Sequence, residues 1–311
     1  MSPGRLLYLV WYKPLEALAR SWREGGPVSQ WINRRGRLAM AAAAARLPPL
    51  PAPPPDAPEV FFLTGRRFWF QTAFCFWSLR RCAERPLRGV FYDDGTFDDT
   101  LRAECSRLFP GSLIHGAPEI AAALDQHLPV PRFSTLRARR LEYPNLRKLT
   151  DVHAGGRGWR LVLDSDMLFF RKPDLLLGWL DAPNRPLHMT DVHDAYGYSR
   201  LLLESLAGQP VPFRLNVGIC GLRSDELDWE ALETWCRRLQ DAAGTSYYQE
   251  QALTAMWLAG RECAVAPPKD YVLMPSEAEC YRPTAVMHHY VDISKRGYYR
   301  HAWGRMLERT R

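Results

Sequence analysis

Residues 160–170 read RLVLDSDMLFF, in which two aspartates stand between two apolar runs. The apolar run 161–163 predicts a buried strand that ends at Asp164, and a second apolar run begins directly after Asp166. Ligands of open parallel sheets bind beyond the carboxyl ends of the strands, so both carboxylates lie where a ligand is expected. Two carboxylates one residue apart can coordinate a single Mg²⁺ or Mn²⁺ ion, which would neutralise negative charge on a leaving diphosphate.

An Asp-x-Asp tripeptide is by itself a weak signal, because it occurs by chance and commonly lies in a solvated turn or at a helix cap. The residues on either side favour a binding site. Both neighbouring runs are apolar, so Asp164 and Asp166 are expected between two buried segments. Two buried carboxylates are costly unless a cation or basic side chains compensate them.

The composition describes an ordinary globular protein with an uneven charge distribution. Of the 311 residues, 47% are hydrophobic and 24% are charged, and the net charge is +7. Residues 1–47 carry eight basic and two acidic side chains, so they account for all but one of the net positive charges. Residues 48–311 are therefore nearly neutral, which argues against a body that binds nucleic acid.

Residues 1–47 form a basic arm with apolar residues at loosely helical spacing. One helix face would carry Leu6, Val10, Leu15, Leu18 and Trp22. Two interpretations are open: a helix on the surface of an anionic membrane, or a helix packed on the body with a solvated basic side. No stretch is long and apolar enough to cross a bilayer. The seven cysteines are scattered without Cys-x-x-Cys spacing, which favours the cytoplasm, with a peripheral position on the inner membrane face if the arm binds lipid.

Residues 48–58 read PPLPAPPPDAP, with seven prolines in eleven positions. Proline fixes φ and lacks an amide hydrogen, so we expect an extended spacer rather than a strand. The main domain is expected to begin at Glu59 and to continue to residue 311.

Within residues 59–311, short apolar runs alternate with helical patterns. The predicted strands are 60–63, 89–92, 112–115, 159–163, 216–222 and 285–290. The predicted helices are 68–82, 97–109, 118–128, 133–152 with a break at Pro144, 226–240 and 247–258. This alternation predicts an α/β domain whose mostly parallel sheet is flanked by helices.

Four segments, taken in order, resemble the motifs of one enzyme family. The run LVLDSDMLFFRKPDLLL at 161–177 is similar to the LDxDxxF…PxxL core of GT-A-fold glycosyltransferases, particularly the retaining glycogenin and lipopolysaccharide galactosyltransferase group. FRLNVG at 213–218, EQAL at 250–253 and VMHHY at 286–290 resemble that group's F-N-(S/A)-G, D-Q-x-(I/L) and (I/V)-x-H-(F/Y) motifs. Glu250 departs from the usual Asp. The order of the segments, over about residues 59–303, carries the resemblance.

The resemblance implies a Rossmann-like GT-A fold and a divalent metal, Mn²⁺ or Mg²⁺. Asp164 would lie nearest the nucleotide ribose and the metal, and Asp166 and His288 would be direct ligands. The two adjacent histidines leave the register open, so His289 is the alternative ligand. A histidine on a late strand is more often a core residue than a ligand, and the preceding acid pair is what favours coordination here.

Further site residues are implied by the resemblance alone. The donor-binding positions would be Thr64, Gly65, Arg66, Asp93, Asp94, Arg147, Lys148, Asp164, Asn216, Gly218 and Lys295. The reacting sugar would be faced by Asp191, Glu250 and Gln251. An ordinary Asp-Gly turn explains Asp94 equally well, and Asp191 could be a simple loop acid. The two basic residues at 147–148 could equally lie on a solvated helix face.

These residues predict transfer of a hexose from a nucleotide-diphosphate donor, above all a UDP-sugar, to a glycan or lipid-linked acceptor. A phosphatase of the haloacid dehalogenase type also begins with an apolar strand and Asp-x-Asp, but it usually has Thr or Val where Leu168 stands here. A third interpretation is a non-catalytic GT-A-like scaffold at the membrane surface, which the basic arm favours and the intact set of polar residues opposes. The donor sugar, the acceptor, the oligomeric state and the stereochemistry stay open.

Overall fold

The computed structural model describes residues 26–309, so the helix face predicted from Leu6 to Trp22 lies outside the described residues. The strands of the described part are β1 (Glu59–Thr64), β2 (Arg88–Asp93), β3 (Leu113–His115), β4 (Trp159–Leu163), β5 (Met167–Phe169), β6 (Leu187–Thr190), β7 (Leu215–Arg223), β8 (Ala264–Val265), β9 (Tyr271–Leu273) and β10 (Met287–His289). Seven of them form one sheet in the order β3-β2-β1-β4-β7-β6-β8. The other three form a small sheet in the order β5-β10-β9.

The large sheet is mixed but mostly parallel. β3, β2, β1 and β4 run parallel to their neighbours, as is usual where helical crossovers connect the strands. β7 is antiparallel to both of its neighbours, β4 and β6, and β8 pairs parallel with β6. The predicted α/β domain with a mostly parallel sheet is confirmed. The reversed direction of β7 could not be predicted, because a buried apolar run has the same pattern in either direction.

Helices flank both sheets. They are α1 (Gly26–Ala44), α2 (Trp69–Ala83), α3 (Asp99–Leu108), α4 (Ala117–His127), α5 (Ser134–Glu142), α6 (Arg147–His153), α7 (Asp174–Asp181), α8 (Arg200–Ala207), α9 (Trp229–Ala243), α10 (Gln249–Trp257), α11 (Glu277–Tyr281), α12 (Lys295–Gly297) and α13 (Trp303–Arg309). Pro144 interrupts the predicted helix 133–152, and a 3₁₀ turn stands between α5 and α6. None of the described helices is long and apolar enough to cross a membrane.

The small sheet makes the chain change direction at the acid pair. β5 runs antiparallel to β10, with Met167 opposite His289 and Phe169 opposite Met287. The apolar run before Asp164 therefore belongs to the large sheet, and the run after Asp166 belongs to the small one. Strands β5 and β9 have three residues each, which is too short for a period-2 pattern to identify.

Aromatic side chains fill the space between α2 and the parallel strands. The Phe76 ring centroid lies 4.9 Å from that of Phe109 and 5.6 Å from that of Phe62, in edge-to-face arrangements. Phe91 stacks on Phe62 at 5.7 Å. Such pairs add to the free energy gained from burial. Much of the aromatic content therefore forms core beneath the site rather than a ligand-binding surface.

The described part of the segment before β1, residues 26–58, is attached to the domain at several points. Met40 and Ala44 of α1 are buried in the main core. In residues 48–58, the Leu50 amide donates to the Leu108 carbonyl at 3.0 Å, and Trp77 Nε1 donates to the Pro48 carbonyl at 3.0 Å. The proline-rich stretch thus forms neither helix nor strand, and hydrogen bonds at Pro48 and Leu50 hold it to the body.

Gly36 brings α1 close to the backbone of the π-helical turn Tyr298–Ala302. A Cβ atom at Gly36 would lie 2.4 Å from the Tyr299 carbonyl oxygen, closer than side-chain carbons come to backbone. Arg300 ties the same turn to α1, since its Nε donates to Asn33 Oδ1 at 2.8 Å. The helix therefore requires a glycine at this contact.

We expect Gly36→Ala to lower the free energy of unfolding by about 1–3 kcal/mol, because the added methyl group must push α1 away from Tyr299. Gly178→Ala is the matched control. Gly178 lies on an exposed position of α7, where an added Cβ meets nothing within 4 Å. Helix propensity alone should raise stability there by roughly 0.5–1 kcal/mol. Urea denaturation followed by circular dichroism measures both, and equal changes in the two variants would contradict the described packing.

Candidate metal centre and active site

The acid turn that follows β4 is held by backbone hydrogen bonds from both sheets. The Asp164 amide donates to the Gly218 carbonyl on β7 at 2.8 Å. The Asp166 carbonyl accepts from the Tyr290 amide, just after β10, at 2.8 Å. Because both ends of the turn are fixed to neighbouring strands, the two carboxylates have little freedom to move apart.

His289 completes a cluster with the two aspartates. Its Nε2 lies 3.1 Å from Asp166 Oδ1 and 3.6 Å from Asp164 Oδ2. Within the described part of the chain, these residues form the one group whose ligand atoms lie close enough for an ion, all within 4.8 Å of one another. Two carboxylates and an imidazole suit a divalent cation such as Mn²⁺ or Mg²⁺. Coordination would require His289 Nε2 to be unprotonated.

His288, the ligand that the sequence favoured, lies on the opposite side of β10. Successive side chains of a strand point to opposite faces, so only one of two adjacent histidines can face the acid pair. His288 is fully buried, its Nδ1 lies 3.2 Å from the Tyr290 hydroxyl, and its ring packs edge-on against Phe170. Burial lowers the pKa of His288 to about 4, so it is a neutral core residue. The structure corrects the preferred ligand to the alternative, His289.

Gly218 makes room for the His289 ring. A Cβ atom at this position would lie 2.4 Å from His289 Cε1 and 2.6 Å from its Nδ1. Any side chain on this face of β7 would therefore displace the imidazole from the aspartates. The sequence placed Gly218 among the donor-binding residues, and the structure gives it a contact with the candidate metal ligand.

Lys148, on α6, joins the acid pair to Glu250 at the start of α10. Its Nζ lies 2.5 Å from Asp164 Oδ1 and 3.3 Å from Glu250 Oε1. Burial alone would lower the pKa of Lys148, but the charges of Asp164 and Glu250 outweigh it and raise the pKa, so the ammonium group stays charged. Burial raises the pKa of Glu250 to about 8 although Lys148 opposes that shift. Lys148 therefore serves mainly as the counter-ion of Asp164.

A second lysine contacts the other aspartate. Lys295 Nζ, from α12, lies 3.2 Å from Asp166 Oδ2. Burial alone would raise the pKa of Asp166, but the hydrogen bond from His289 and the charge of Lys295 hold that pKa well below its usual range. Asp166 is thus an ionised carboxylate in a partly buried site.

A second group of polar side chains predicted from the sequence also converges. Asn216 Nδ2 donates to Asp191 Oδ2 at 2.8 Å, and Gln251 Nε2 lies 3.3 Å from the same oxygen. Gln251 also donates to the Ala195 carbonyl at 2.9 Å. The three residues come from β7, α10 and the segment after β6, and all three are buried. Only the tertiary fold brings them together.

Asp93 and Asp94 build the turn that follows β2. Asp93 Oδ1 accepts hydrogen bonds from the amides of Gly95 and Thr96 at 2.7 and 2.8 Å. The Asp94 carbonyl accepts from Arg147 Nη1, and its carboxylate accepts from Thr96. These contacts agree with the ordinary Asp-Gly turn that the sequence also predicted. Nucleotide binding by Asp93 and Asp94 stays a prediction.

Gly65 and Arg66 lie beside that turn. A Cβ atom at Gly65 would lie 1.9 Å from Asp94 Oδ1, so glycine gives the carboxylate its space. Arg66 points to the surface, where it forms an ion pair with Asp98. The donor-binding role predicted for both also stays a prediction.

Thr72 is a site residue that the sequence did not indicate. Its hydroxyl lies 2.6 Å from the Thr64 hydroxyl and 2.7 Å from the Ser165 hydroxyl. This chain of hydroxyl groups links the end of β1 to the acid turn through α2. The sequence did contain a signal for it, since Thr72 is a polar residue within an apolar helix. A buried polar side chain needs a hydrogen-bond partner, which points to a contact of this kind.

We expect His289→Ala to weaken Mn²⁺ binding at least tenfold, since it removes one of three ligand groups. His288→Asn is the control, because it removes an imidazole from the same strand without touching the aspartates. Calorimetric titration with Mn²⁺ in the absence of nucleotide measures both, and thermal unfolding checks that each variant folds. A larger loss of Mn²⁺ affinity for His288→Asn than for His289→Ala would contradict the described register of β10.

Comparison with solved structures supports the fold. Mouse xyloside xylosyltransferase 1 is similar with a TM-score of 0.50 and 12% identity, over 74% of this chain and 96% of that one. The galactosyltransferase LgtC, solved with donor and acceptor sugar analogues, gives a TM-score of 0.51 and 15% identity, over 81% of this chain and 95% of that one. The bifunctional glycosyltransferase WbbM gives 0.50 and 14%, over 84% of this chain and 53% of that one.

No family model and no curated protein sequence matches the chain. The similarity to the solved structures is therefore a similarity of fold, because the sequence identities of 12–15% show little by themselves. It agrees with the seven-stranded mixed sheet, which carries the acid turn at the end of β4. The predicted GT-A fold is confirmed, and the chain shares it with these glycosyltransferases.

Proposed function

We propose that this protein is a metal-dependent glycosyltransferase that moves a hexose from a nucleotide-diphosphate donor, a UDP-sugar, to a glycan or lipid-linked acceptor. One observation carries the proposal: Asp164, Asp166 and His289 converge at the end of β4 within a GT-A sheet. Three ligand groups at a strand end, where α/β sheets bind ligands, suit a cation that holds a diphosphate.

The same three residues would hold Mn²⁺ or Mg²⁺. The bound cation would offset negative charge on the leaving diphosphate. His289 would bind through Nε2, the nitrogen that faces both aspartates. The rigid attachment of the acid turn to β7 and β10 would keep the ligand atoms in place without reorganisation.

The two lysines would supply further positive charge for the donor. Lys148 contacts Asp164 and Lys295 contacts Asp166, so each lies next to the proposed metal position. A diphosphate there would interact with both ammonium groups, and such charge-assisted contacts are stronger than neutral ones. Glu250 contacts Lys148 and not the acid pair, so we assign it to positioning that lysine.

Asp191, Asn216 and Gln251 would bind hydroxyl groups of the donor sugar. Asn216 and Gln251 can donate or accept hydrogen bonds and Asp191 can accept them, and both amide groups already donate to Asp191 Oδ2. A preorganised polar group discriminates well against a ligand that cannot satisfy it. The sugar itself is not defined by the fold, since the similar structures include a xylosyltransferase and a galactosyltransferase.

The two alternative functions fit the site less well. In the phosphatase interpretation, the residue two positions beyond the second aspartate is usually Thr or Val, whereas here it is Leu168, which is fully buried in the small sheet. The scaffold interpretation gives no role to the convergence of Asp164, Asp166 and His289, whose ligand atoms all lie within 4.8 Å of one another.

A place in the cytoplasm forms part of the proposal. All seven cysteines are free thiols, and five of them are buried. Unpaired cysteines are usual in a reducing compartment.

We expect Asp166→Asn to abolish metal-dependent turnover of UDP-sugars while leaving the fold intact, because the amide keeps the shape but cannot replace the anionic ligand. In thermal shift assays, UDP with Mn²⁺ should stabilise the wild-type protein by about 2.7 kcal/mol at one hundred times its Kd. The variant should lose that stabilisation. Asp241→Asn, at an exposed position of α9, is the control and should behave as wild type.

A panel of UDP, GDP, CDP and ADP, each with and without Mn²⁺, identifies the nucleotide. Stabilisation by UDP only with metal is the expected result. Undiminished turnover by Asp166→Asn would refute the metal-site assignment, and no response to any nucleotide would favour the scaffold interpretation.

We expect Asp191→Asn to reduce kcat/KM roughly tenfold or more, because hydrogen bonds to charged groups contribute about 1.5–3 kcal/mol. Its Mn²⁺ affinity should stay unchanged, since Asp191 is not in the metal cluster. Asp194→Asn, three residues further along the same segment, controls for disturbance of the backbone. Equal losses of kcat/KM in the two variants would show that the segment, rather than the Asp191 carboxylate, determines activity.

A further inference from the structure

The solvent side of α1 is apolar, which is unusual for a surface helix. Four of its exposed residues are large and apolar, with exposed fractions of 71% for Val28, 56% for Trp31, 39% for Ile32 and 62% for Leu38. Trp31 and Ile32 follow Val28 by three and four residues, and Leu38 follows Trp31 by seven, so these side chains lie on one helix face. Contiguous exposed apolar surface of this kind marks a contact with a partner or a membrane.

The opposite side of the same helix is already used. Ser29, Met40 and Ala44 are buried against the domain, and Gly36 lies against the Tyr299 backbone. α1 is therefore fixed in orientation, and Val28, Trp31, Ile32 and Leu38 cannot turn inward. We call these four residues, together with Arg34 and Arg35, the outer face of α1.

The charge on the outer face has one sign. Arg34 and Arg35 are both exposed, and the Arg35 guanidinium lies 4.8 Å from the centre of the Trp31 ring. α1 contains no acidic residue. Arginine beside tryptophan suits a boundary where the ring enters an apolar layer and the guanidinium meets negatively charged groups.

We propose that the outer face of α1 binds the surface of an anionic membrane. The apolar side chains would enter the boundary between headgroups and acyl chains, and the two arginines would contact phosphate groups. Each basic side chain near such a surface contributes about 1 kcal/mol. α1 would then lie parallel to the membrane, with the glycosyltransferase domain attached behind it.

Other occupants of this face fit its charge less well. A second copy of the chain in a two-fold arrangement would place the arginines of one copy against those of the other. Residues 1–25 carry four basic and two acidic side chains, so they too would bring positive charge to a positive surface. An anionic lipid surface matches both the charge and the apolar stripe.

The test is flotation of the full chain with vesicles of phosphatidylcholine alone or with one quarter phosphatidylglycerol. Assays contain EDTA and no nucleotide, so the outcome is independent of the proposed metal site and of catalysis. We expect binding to the anionic vesicles, little binding to the neutral ones, and release at 1 M salt. The variant Trp31→Ser/Ile32→Ser/Leu38→Ser should reduce the partition coefficient at least tenfold.

The control variant removes exposed apolar residues elsewhere, through Val130→Ser/Leu141→Ser/Leu201→Ser, whose side chains are 51%, 65% and 80% exposed. It should bind anionic vesicles as wild type does. Arg34→Gln/Arg35→Gln provides a second test, with weaker binding to anionic vesicles and an unchanged thermal midpoint.

Three outcomes would overturn the proposal. The first is the absence of wild-type binding to anionic vesicles. The second is full binding by the serine variant of α1, which would place the contact in residues 1–25 or elsewhere. The third is a wild-type dimer in sedimentation that the same variant dissociates, which would make the outer face a contact between copies.

Discussion

The site depends on one electrostatic requirement, because the Asp164 and Asp166 carboxylates lie close together and partly buried at a point where two sheets meet. Two carboxylates in such a place need nearby positive charge or hydrogen-bond donors. Lys148, Lys295 and His289 provide these, one from each of three separate elements. The packing of α6, α12 and β10 around the acid turn therefore serves to place these partners next to the Asp164 and Asp166 carboxylates.

The backbone makes that arrangement possible. The turn leaves the large sheet after β4 and enters the small sheet at β5, and hydrogen bonds to Gly218 and Tyr290 fix it on both sides. Gly218 is equally constrained, because any Cβ atom there would occupy the space of the His289 ring. A strand that supplies a hydrogen bond to Asp164 thus also gives His289 its place, so the geometry of the candidate metal centre follows from strand packing.

The exposed side of α1 follows a different rule. α1 packs through Ser29, Gly36, Met40 and Ala44 on one side and presents large apolar groups on the other. A helix in the core of the domain, such as α2, is apolar because it is buried on nearly all sides. α1 has a comparable apolar stripe without that burial. Local sequence pattern does not distinguish the two situations, and only the exposed fraction of each side chain does.

The sequence alone predicted five of the seven strands of the large sheet, most of the flanking helices and the position of the acid turn, because those features depend on local periodicity and on residues close together in the chain. It did not predict β6 and β8, which have four and two residues. It also identified the polar residues that converge, although not their contacts. The tertiary structure decided which histidine faces the aspartates, since the antiparallel pairing of β5 with β10 sets the register and adjacent side chains point to opposite faces. It decided as well that Glu250 contacts Lys148, that Gly218 serves the His289 ring, and that one side of α1 stays exposed. The residues that these contacts join are from about 70 to more than 250 positions apart in the chain. Local periodicity carries no information over such sequence separations.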